Sequence, residues 1–81
     1  MDDYQAAFGR HVRAMRMQRG ATQEDVAYRA GVHVTYLSGI ERGIRNPSLK
    51  NIRALAEALE ASTAELFAFE AEKGAERGQG Y

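Results

Sequence analysis

Apolar residues along this chain recur at intervals of three and four positions, which is the period of an α-helix. The clearest stripe lies near the N-terminus and consists of Tyr4, Phe8, Val12 and Met15. No stretch alternates apolar and polar residues with the period of two that marks a half-buried β-strand. The pattern therefore predicts an all-α protein.

Capping residues and glycines separate the first three predicted helices. The first helix covers about residues 3–19 and ends at Gly20. Thr22 is a good N-cap residue for the second helix, because its hydroxyl can accept a hydrogen bond from the first turn. The third helix covers about residues 33–42 and ends at Gly43.

Two further helices complete the predicted domain. Ser48 caps the fourth helix, and Ser62 or Thr63 caps a short fifth one. The apolar positions of the fourth helix are Leu49, Ile52, Leu55, Ala56 and Leu59. We expect a compact five-helix bundle over residues 1–71 and a flexible, Gly-rich and charged tail over residues 72–81.

Only a few residues, centred on Gly31, separate the second and third predicted helices. Gly31 can adopt the left-handed conformation that a tight turn between two helices requires. This spacing is typical of a helix-turn-helix, in which the second helix enters the major groove of DNA. Apolar or small residues at fixed offsets would pack the pair together and against the bundle: Val26, Ala27, Ala30, Val32, Leu37 and Ile40.

The segment TQEDVAYRAGVHVTYLSGIERGIRNPSL, which follows a helix ending in RMQRG, resembles the phage-repressor-like (Cro/repressor, XRE-type) helix-turn-helix family. The resemblance covers about residues 8–67, and within the family it is greatest to the controller proteins of restriction–modification systems. It implies a transcription regulator that binds double-stranded DNA. It further implies a homodimer on a palindromic operator.

The recognition helix implied by this resemblance presents a small set of side chains to the bases. Val34, Thr35 and Ser38 are the expected base contacts, with His33 and Tyr36 on their flanks. Thr and Ser can donate or accept hydrogen bonds, and Val can pack on a thymine methyl group. Similar controller proteins often have a base-reading arginine where this chain has Val34, so recognition here would depend more on apolar contact and DNA shape.

Five further polar residues are candidates for contact with the DNA backbone. Gln23 lies at the start of the second helix, where backbone N–H groups and the helix dipole favour a phosphate. Arg45 and Asn46 lie in the loop that follows the phosphate backbone in similar proteins, and Lys50 follows that loop. Arg42 is equally consistent with a solvated helix end.

Two other groups of residues have structural roles in similar proteins. Arg16 and Glu41 match positions that form a partly buried salt bridge between the first and third helices. Leu66, Phe67 and Phe69 lie on the last helix, through which similar proteins dimerise. A cluster of large apolar groups there can cover the core or form a surface for self-association.

The formal net charge of zero conceals an uneven distribution. Residues 1–56 contain nine Lys or Arg and five Asp or Glu, whereas residues 57–81 contain two and six. A basic body is consistent with a polyanionic partner, although solvated charged surfaces are the commoner cause of such a bias.

Composition and motifs argue against other classes of protein. The chain has no cysteine, so a disulfide framework and thiolate metal sites are excluded, and its apolar runs are too short to span a membrane. His11 and His33 lie on different predicted helices with no ligand at metal-site spacing. The lack of cysteine and of a membrane-spanning run leads us to expect a cytoplasmic protein. Because the chain has neither a nucleophile motif nor a phosphate-binding loop, we expect that it is not an enzyme and needs no cofactor, metal or small-molecule ligand.

One alternative function belongs to a different class. The chain could have kept the bundle while binding a protein partner through its helices, as an antitoxin or an adaptor subunit does. The absence of Arg, Asn and Gln from the first turn of the recognition helix favours this alternative. Aromatic residues near the C-terminus favour it too.

Overall fold

The computed structural model describes residues 3–69 and contains five helices within that range. They are α1 (Asp3–Gln18), α2 (Gln23–Ala30), α3 (Val34–Glu41), α4 (Leu49–Ala58) and α5 (Thr63–Leu66). This architecture confirms the all-α fold and the order of the predicted helices. The predicted tail over residues 72–81 lies outside the described residues.

Side-chain caps begin three of the helices, as their sequences predict. The hydroxyl of Thr22 accepts from the N–H of Asp25 at 3.0 Å, and the Asp25 carboxylate accepts from the N–H of Thr22 at 3.3 Å, which completes a capping box. Ser48 and Ser62 cap α4 and α5. His33 precedes α3 without a side-chain cap, because an imidazole does not replace the short hydroxyl that usually stands there.

The turn between α2 and α3 depends on a left-handed glycine. Gly31 has φ of 74°, its N–H donates to the carbonyl of Tyr28, and the next N–H, from Val32, donates to the carbonyl of Ala27. These two bonds form a Schellman motif, which closes α2 and directs the chain into α3 within three residues. The glycine turn expected for a helix-turn-helix is thus present.

The core lies where α1, α2, α3 and α4 meet, and α5 closes one end against α4 and α1. Its buried apolar residues are Phe8, Val12, Met15, Val26, Ala27, Leu37, Ile40, Leu55, Ala56, Ala58, Leu59 and Leu66. Leu49 departs from the predicted apolar face of α4, because its side chain is 86% exposed at the first turn. Tyr4, which the pattern places on the apolar stripe of α1, is 46% exposed.

The helix-turn-helix pair is fixed within this core. Val26 and Ala27 of α2 and Leu37 and Ile40 of α3 are at most 3% exposed, so both helices contribute to one interior. Such packing holds the outer face of α3 in a constant orientation. No described helix has the length and apolar character needed to cross a lipid bilayer.

Candidate nucleic-acid interface

The outer side of the turn and the loop after α3 together form an open depression. Among its lining residues are His33, Thr35, Tyr36, Arg45 and Asn46. The side chains of His33, Thr35, Arg45 and Asn46 are exposed, and Tyr36 is half-buried. The fold therefore brings residues from two separate segments of the sequence to one surface, which we call the recognition surface.

Two of the expected base contacts are less accessible than Thr35. Val34 is half-buried and packs against the core, and Ser38 is also half-buried one turn further along α3. Neither residue lines the depression. Thr35 is therefore the most accessible of the three side chains that the sequence places against the bases.

Tyr36 is held by a residue that the sequence analysis did not identify. The side-chain amide of Asn51, in the first turn of α4, donates to the Tyr36 hydroxyl oxygen at 3.0 Å. The hydroxyl hydrogen of Tyr36 remains able to donate to an acceptor such as a phosphate oxygen. No local pattern could have revealed this pair, because the residues lie fifteen positions apart on different helices.

The loop between α3 and α4 is anchored to the end of α3. The carbonyl of Gly39 accepts hydrogen bonds from the N–H groups of Ile44 at 2.8 Å and Arg45 at 3.1 Å. Arg42 is the exposed C-cap residue of α3, and Lys50 is exposed in the first turn of α4. Both cations remain candidates for the DNA backbone, while the position of Arg42 also fits a solvated helix end.

Gln23 has a structural partner in addition to its expected role. Its side-chain amide nitrogen donates to the Glu41 carboxylate at 2.9 Å, and the residue is half-buried. As the first residue of α2, it lies among the N–H groups that have no acceptor within the helix. Contact with a phosphate is therefore better supported for its backbone than for its side chain.

The predicted pair of Arg16 and Glu41 is present and largely buried. Nε of Arg16 donates to Oε2 of Glu41 at 2.7 Å, and a terminal guanidinium nitrogen donates to Oε1 at 3.0 Å. The remaining terminal nitrogen donates to the Ala21 carbonyl at 2.9 Å. The hydrogen bond to Glu41 raises the pKa of Arg16 above its ordinary value. This network links α1, the start of α2 and the end of α3.

The three residues expected at a dimer interface differ in accessibility. Leu66 has no exposed surface, so it packs against the core of its own protomer and is not accessible to a second copy of the chain. α5 is shorter than predicted, because Phe67 is its C-cap residue and Phe69 lies after it; both phenylalanines are half-buried. The ring of Phe69 lies 5.6 Å from those of Tyr4 and His11, measured between centroids. We call Tyr4, His11, Phe67 and Phe69 the aromatic cluster.

The sequence suggests that Arg19 and Arg53 are surface charges, but the two arginines have different surroundings. Nε of Arg19 donates to the carbonyl of Leu59 at 2.6 Å, so this cation ties the end of α1 to the end of α4. Arg53 instead pairs with Glu57 at 3.4 Å on the exposed side of α4. Among residues 3–69, no three His, Cys, Asp or Glu side chains lie close enough together to hold a metal ion.

Comparison with known proteins places this geometry among DNA-binding regulators. A family model described as a helix-turn-helix domain matches residues 7–69. The control protein C.BamHI of Bacillus amyloliquefaciens is 41% identical over 63 residues, which are 76% of this chain and 78% of that protein.

Solved structures of controller proteins have the same fold. The restriction-modification controller protein C.AhdI from Aeromonas hydrophila is 44% identical with a TM-score of 0.76, and the match covers 76% of this chain and 94% of that chain. The controller protein C.Esp1396I, solved as a tetramer in complex with its natural 35-base-pair operator, is 30% identical with a TM-score of 0.81. That match covers 89% of this chain and 95% of the other.

Proposed function

The chain belongs to the helix-turn-helix family of transcriptional regulators, and we propose that it is a restriction–modification controller protein that binds a palindromic operator as a homodimer. The observation that carries the proposal is the recognition surface. It combines the exposed face of α3 with Arg45 and Asn46 of the following loop. An outward face on the second helix of the motif, bordered by cations, suits a duplex whose phosphates flank the major groove.

The residues that we propose to contact DNA divide into two roles. Thr35 is the main contact to base edges, while Ser38, Val34 and His33 make smaller contributions beside it. Tyr36, Arg45, Asn46, Lys50, Arg42 and the N-terminus of α2 at Gln23 contact phosphates and fix the register of the protein on the duplex. With a single small hydroxyl at the centre, much of the sequence preference comes from the shape and deformability of the DNA.

Two protomers are required because one short helix covers only part of an operator. A two-fold dimer reads two half-sites about 34 Å apart, or at a multiple of that repeat. Phe67 and Phe69 provide the apolar contact between protomers, supported from inside by Leu66. The related C.Esp1396I forms a tetramer on its operator, which supports an oligomer here.

The proposal is tested by selection and titration of duplex DNA. The wild-type protein selects duplexes from a randomised pool, and the selected duplex and a scrambled version are then titrated at several salt concentrations. We expect a palindromic consensus, tighter binding of the selected duplex, and a slope of log K against log salt of roughly −7 to −9, from about 8–10 phosphate contacts per dimer.

Two results would contradict the proposal. Equal affinity for the selected and scrambled duplexes would show that the protein does not recognise a sequence. A flat salt response would show that it does not contact the phosphates. Failure to bind any duplex, together with co-purification of a protein partner, would favour an antitoxin or adaptor function.

A further inference from the structure

We infer that Gly39 is a positioning residue for DNA recognition: its missing side chain lets the stem of Arg45 lie across α3 and keeps Arg45 on the recognition surface. The inference rests on the proposed function and adds to it the residue that sets the orientation of the Arg45 side chain. Gly39 itself contacts no DNA in this arrangement and acts through Arg45.

Gly39 occupies the position on α3 that follows Thr35 by one helical turn. Residues four apart on a helix are neighbours on one face, so Gly39 continues the face that Thr35 begins. Thr35 is exposed, whereas Gly39 is buried despite having no side chain. Some other group therefore covers this part of the outer face.

The covering group is the aliphatic part of Arg45. A Cβ atom added to Gly39 would lie 2.5 Å from Cγ of Arg45, 3.5 Å from its Cβ and 3.7 Å from its Cδ. The first distance is too short for two carbon atoms, so even an alanine would force the Arg45 side chain to move. Arg45 as a whole remains exposed, which leaves its guanidinium free beyond the covered stem.

The backbone of Arg45 is held independently of this contact. Its N–H donates to the Gly39 carbonyl at 3.1 Å, and the preceding N–H, from Ile44, donates to the same oxygen at 2.8 Å. Both bonds join backbone atoms, so a side chain at position 39 removes neither the donors nor the acceptor. The gap at Gly39 therefore controls the direction of the Arg45 side chain rather than the path of the loop.

This arrangement reduces the entropy that Arg45 loses when DNA binds. A free arginine samples many rotamers, and confining it before association lowers the cost of binding. The stem of Arg45 lies one turn along α3 from Thr35, and both residues line the same depression. Gly39 thus couples the loop cation to the base-reading helix.

The test is a double-mutant cycle between Gly39→Ala and Arg45→Ala, with the duplex selected by the wild-type protein as the probe. We expect each single variant to weaken binding by roughly 10-fold to 100-fold and to reduce the salt slope by about one per half-site. Thermal unfolding supplies the control for structure. Alanine favours helix over glycine, so Gly39→Ala should unfold at the same temperature as wild type or higher.

The double variant separates positioning from other effects. In the Arg45→Ala background the Cγ atom is absent and the remaining Cβ lies at an ordinary contact distance of 3.5 Å, so adding Gly39→Ala should cost less than twofold. Wild-type affinity of Gly39→Ala would overturn the inference. An undiminished loss in the Arg45→Ala background would overturn it as well, because the methyl group would then act without Arg45.

Failure of the proposed function gives a different result. If the wild-type protein selects no duplex and binds none, the proposed function and this inference are both wrong. If the wild-type protein binds the selected duplex and Arg45→Ala weakens binding, but Gly39→Ala does not, only the inference is wrong.

Discussion

At the scale of single residues, the buried carboxylate of Glu41 joins three helices. It lies on α3, is 5% exposed, and accepts hydrogen bonds from Arg16 of α1 and Gln23 of α2. A buried charge is tolerated only when it is paired and hydrogen-bonded. Because Arg16 is also largely buried, neither residue can lose its partner without leaving an uncompensated charge.

We therefore predict that Glu41→Ala destabilises the domain. The expected loss is about 3–5 kcal/mol in the free energy of unfolding, because Arg16 keeps its charge but loses its partner. Urea denaturation followed by circular dichroism measures the change. Glu57→Ala is the matched control, since it removes only an exposed pair with Arg53 that is worth about 0.3–0.5 kcal/mol. Unchanged stability with lost DNA affinity would instead assign Glu41 to the interface.

Glu60, the second residue after α4, adopts a backbone conformation that favours glycine. Its φ is 56°, and the following N–H, from Ala61, donates to the Ala56 carbonyl at 2.9 Å, as in the Schellman motif after α2. For a residue with a Cβ atom, the left-handed backbone conformation is less stable than the right-handed one by about 1–2 kcal/mol. The fold therefore carries a local strain at this position that the glycine at the α2–α3 turn avoids.

Glu60→Gly is expected to stabilise the domain by about 0.5–1 kcal/mol, because relief of the left-handed strain exceeds the added flexibility of the unfolded chain. Differential scanning calorimetry measures the effect as a rise in Tm. Glu60→Ala is the control, since alanine removes the carboxylate and retains the strain. If Tm rose equally in both variants, the cause would be the loss of the carboxylate charge and not the change in backbone conformation.

The sequence predicts single residues well only where a known motif supplies their role. The pairing of Arg16 with Glu41 is expected from the resemblance and is present. The hydrogen bond from Asn51 to Tyr36 and the one from Arg19 to Leu59 are not predicted, because each joins residues far apart in the sequence and no motif links their positions. Hydroxyls, amides and guanidinium groups find such partners only after the helices are in place.

At the scale of the helices, the sequence predicts ends better than packed faces. Thr22, Ser48 and Ser62 cap their helices because an N-cap depends on residues within one turn. The exposure of Leu49 is not predicted, because helical periodicity gives an angle around the axis and not the extent of the neighbouring helix along it.

The hydrophobic pattern also does not predict where two helices approach each other closely. Gly9 of α1 lies against the carbonyls of Ile40 and Glu41 near the end of α3, and an added Cβ would meet both oxygens, the second at 2.8 Å. The obstructing atoms belong to backbone, which cannot turn aside as a side chain can. A glycine at this position therefore lets α1 approach the end of α3 closely, and Arg16 and Glu41 join the same two helices.

We predict that Gly9→Ala lowers the free energy of unfolding by about 1–3 kcal/mol, because overpacking exceeds the gain in helix propensity. Thermal unfolding measures the change. Gly39→Ala is a matched comparison, since both glycines lie within helices but Gly39 faces a side chain that can move. A higher Tm for Gly9→Ala would show that α1 can shift away from α3 without loss.

At the scale of the whole molecule, basic and acidic residues are concentrated in different parts of the described chain. Arg45 lies on the recognition surface, and Arg42 and Lys50 are exposed at the end of α3 and the start of α4. The acidic residues Glu57, Glu60 and Glu65 lie towards the end of α4 and on α5. A cation on the recognition surface attracts the DNA backbone, so Arg45 favours approach of the duplex to this side of the molecule.

Assembly is the property that the sequence defines least. A short apolar helix can cover the core or bind a second copy, and the periodicity is the same in both cases. In the structure Leu66 is inside the protomer, whereas Phe67 and Phe69 are partly exposed. Of these three residues, Phe67 and Phe69 are the ones accessible to the second protomer that we propose.

Phe69→Ser is expected to yield a folded monomer that binds the operator poorly. Phe69 is half-buried against Tyr4 and His11. In the dimer that we propose, its exposed part contacts the second protomer, so Phe69→Ser should weaken that contact while the buried core remains. Sedimentation measures the mass and far-ultraviolet circular dichroism the helix content. A monomer contacts one half-site, so the slope of log K against log salt should fall to roughly half. Tyr28→Ser is the matched control, because it removes an 88% exposed aromatic ring on α2, away from the aromatic cluster. If Phe69→Ser remained a dimer with wild-type affinity, the interface would have to lie elsewhere on the protomer.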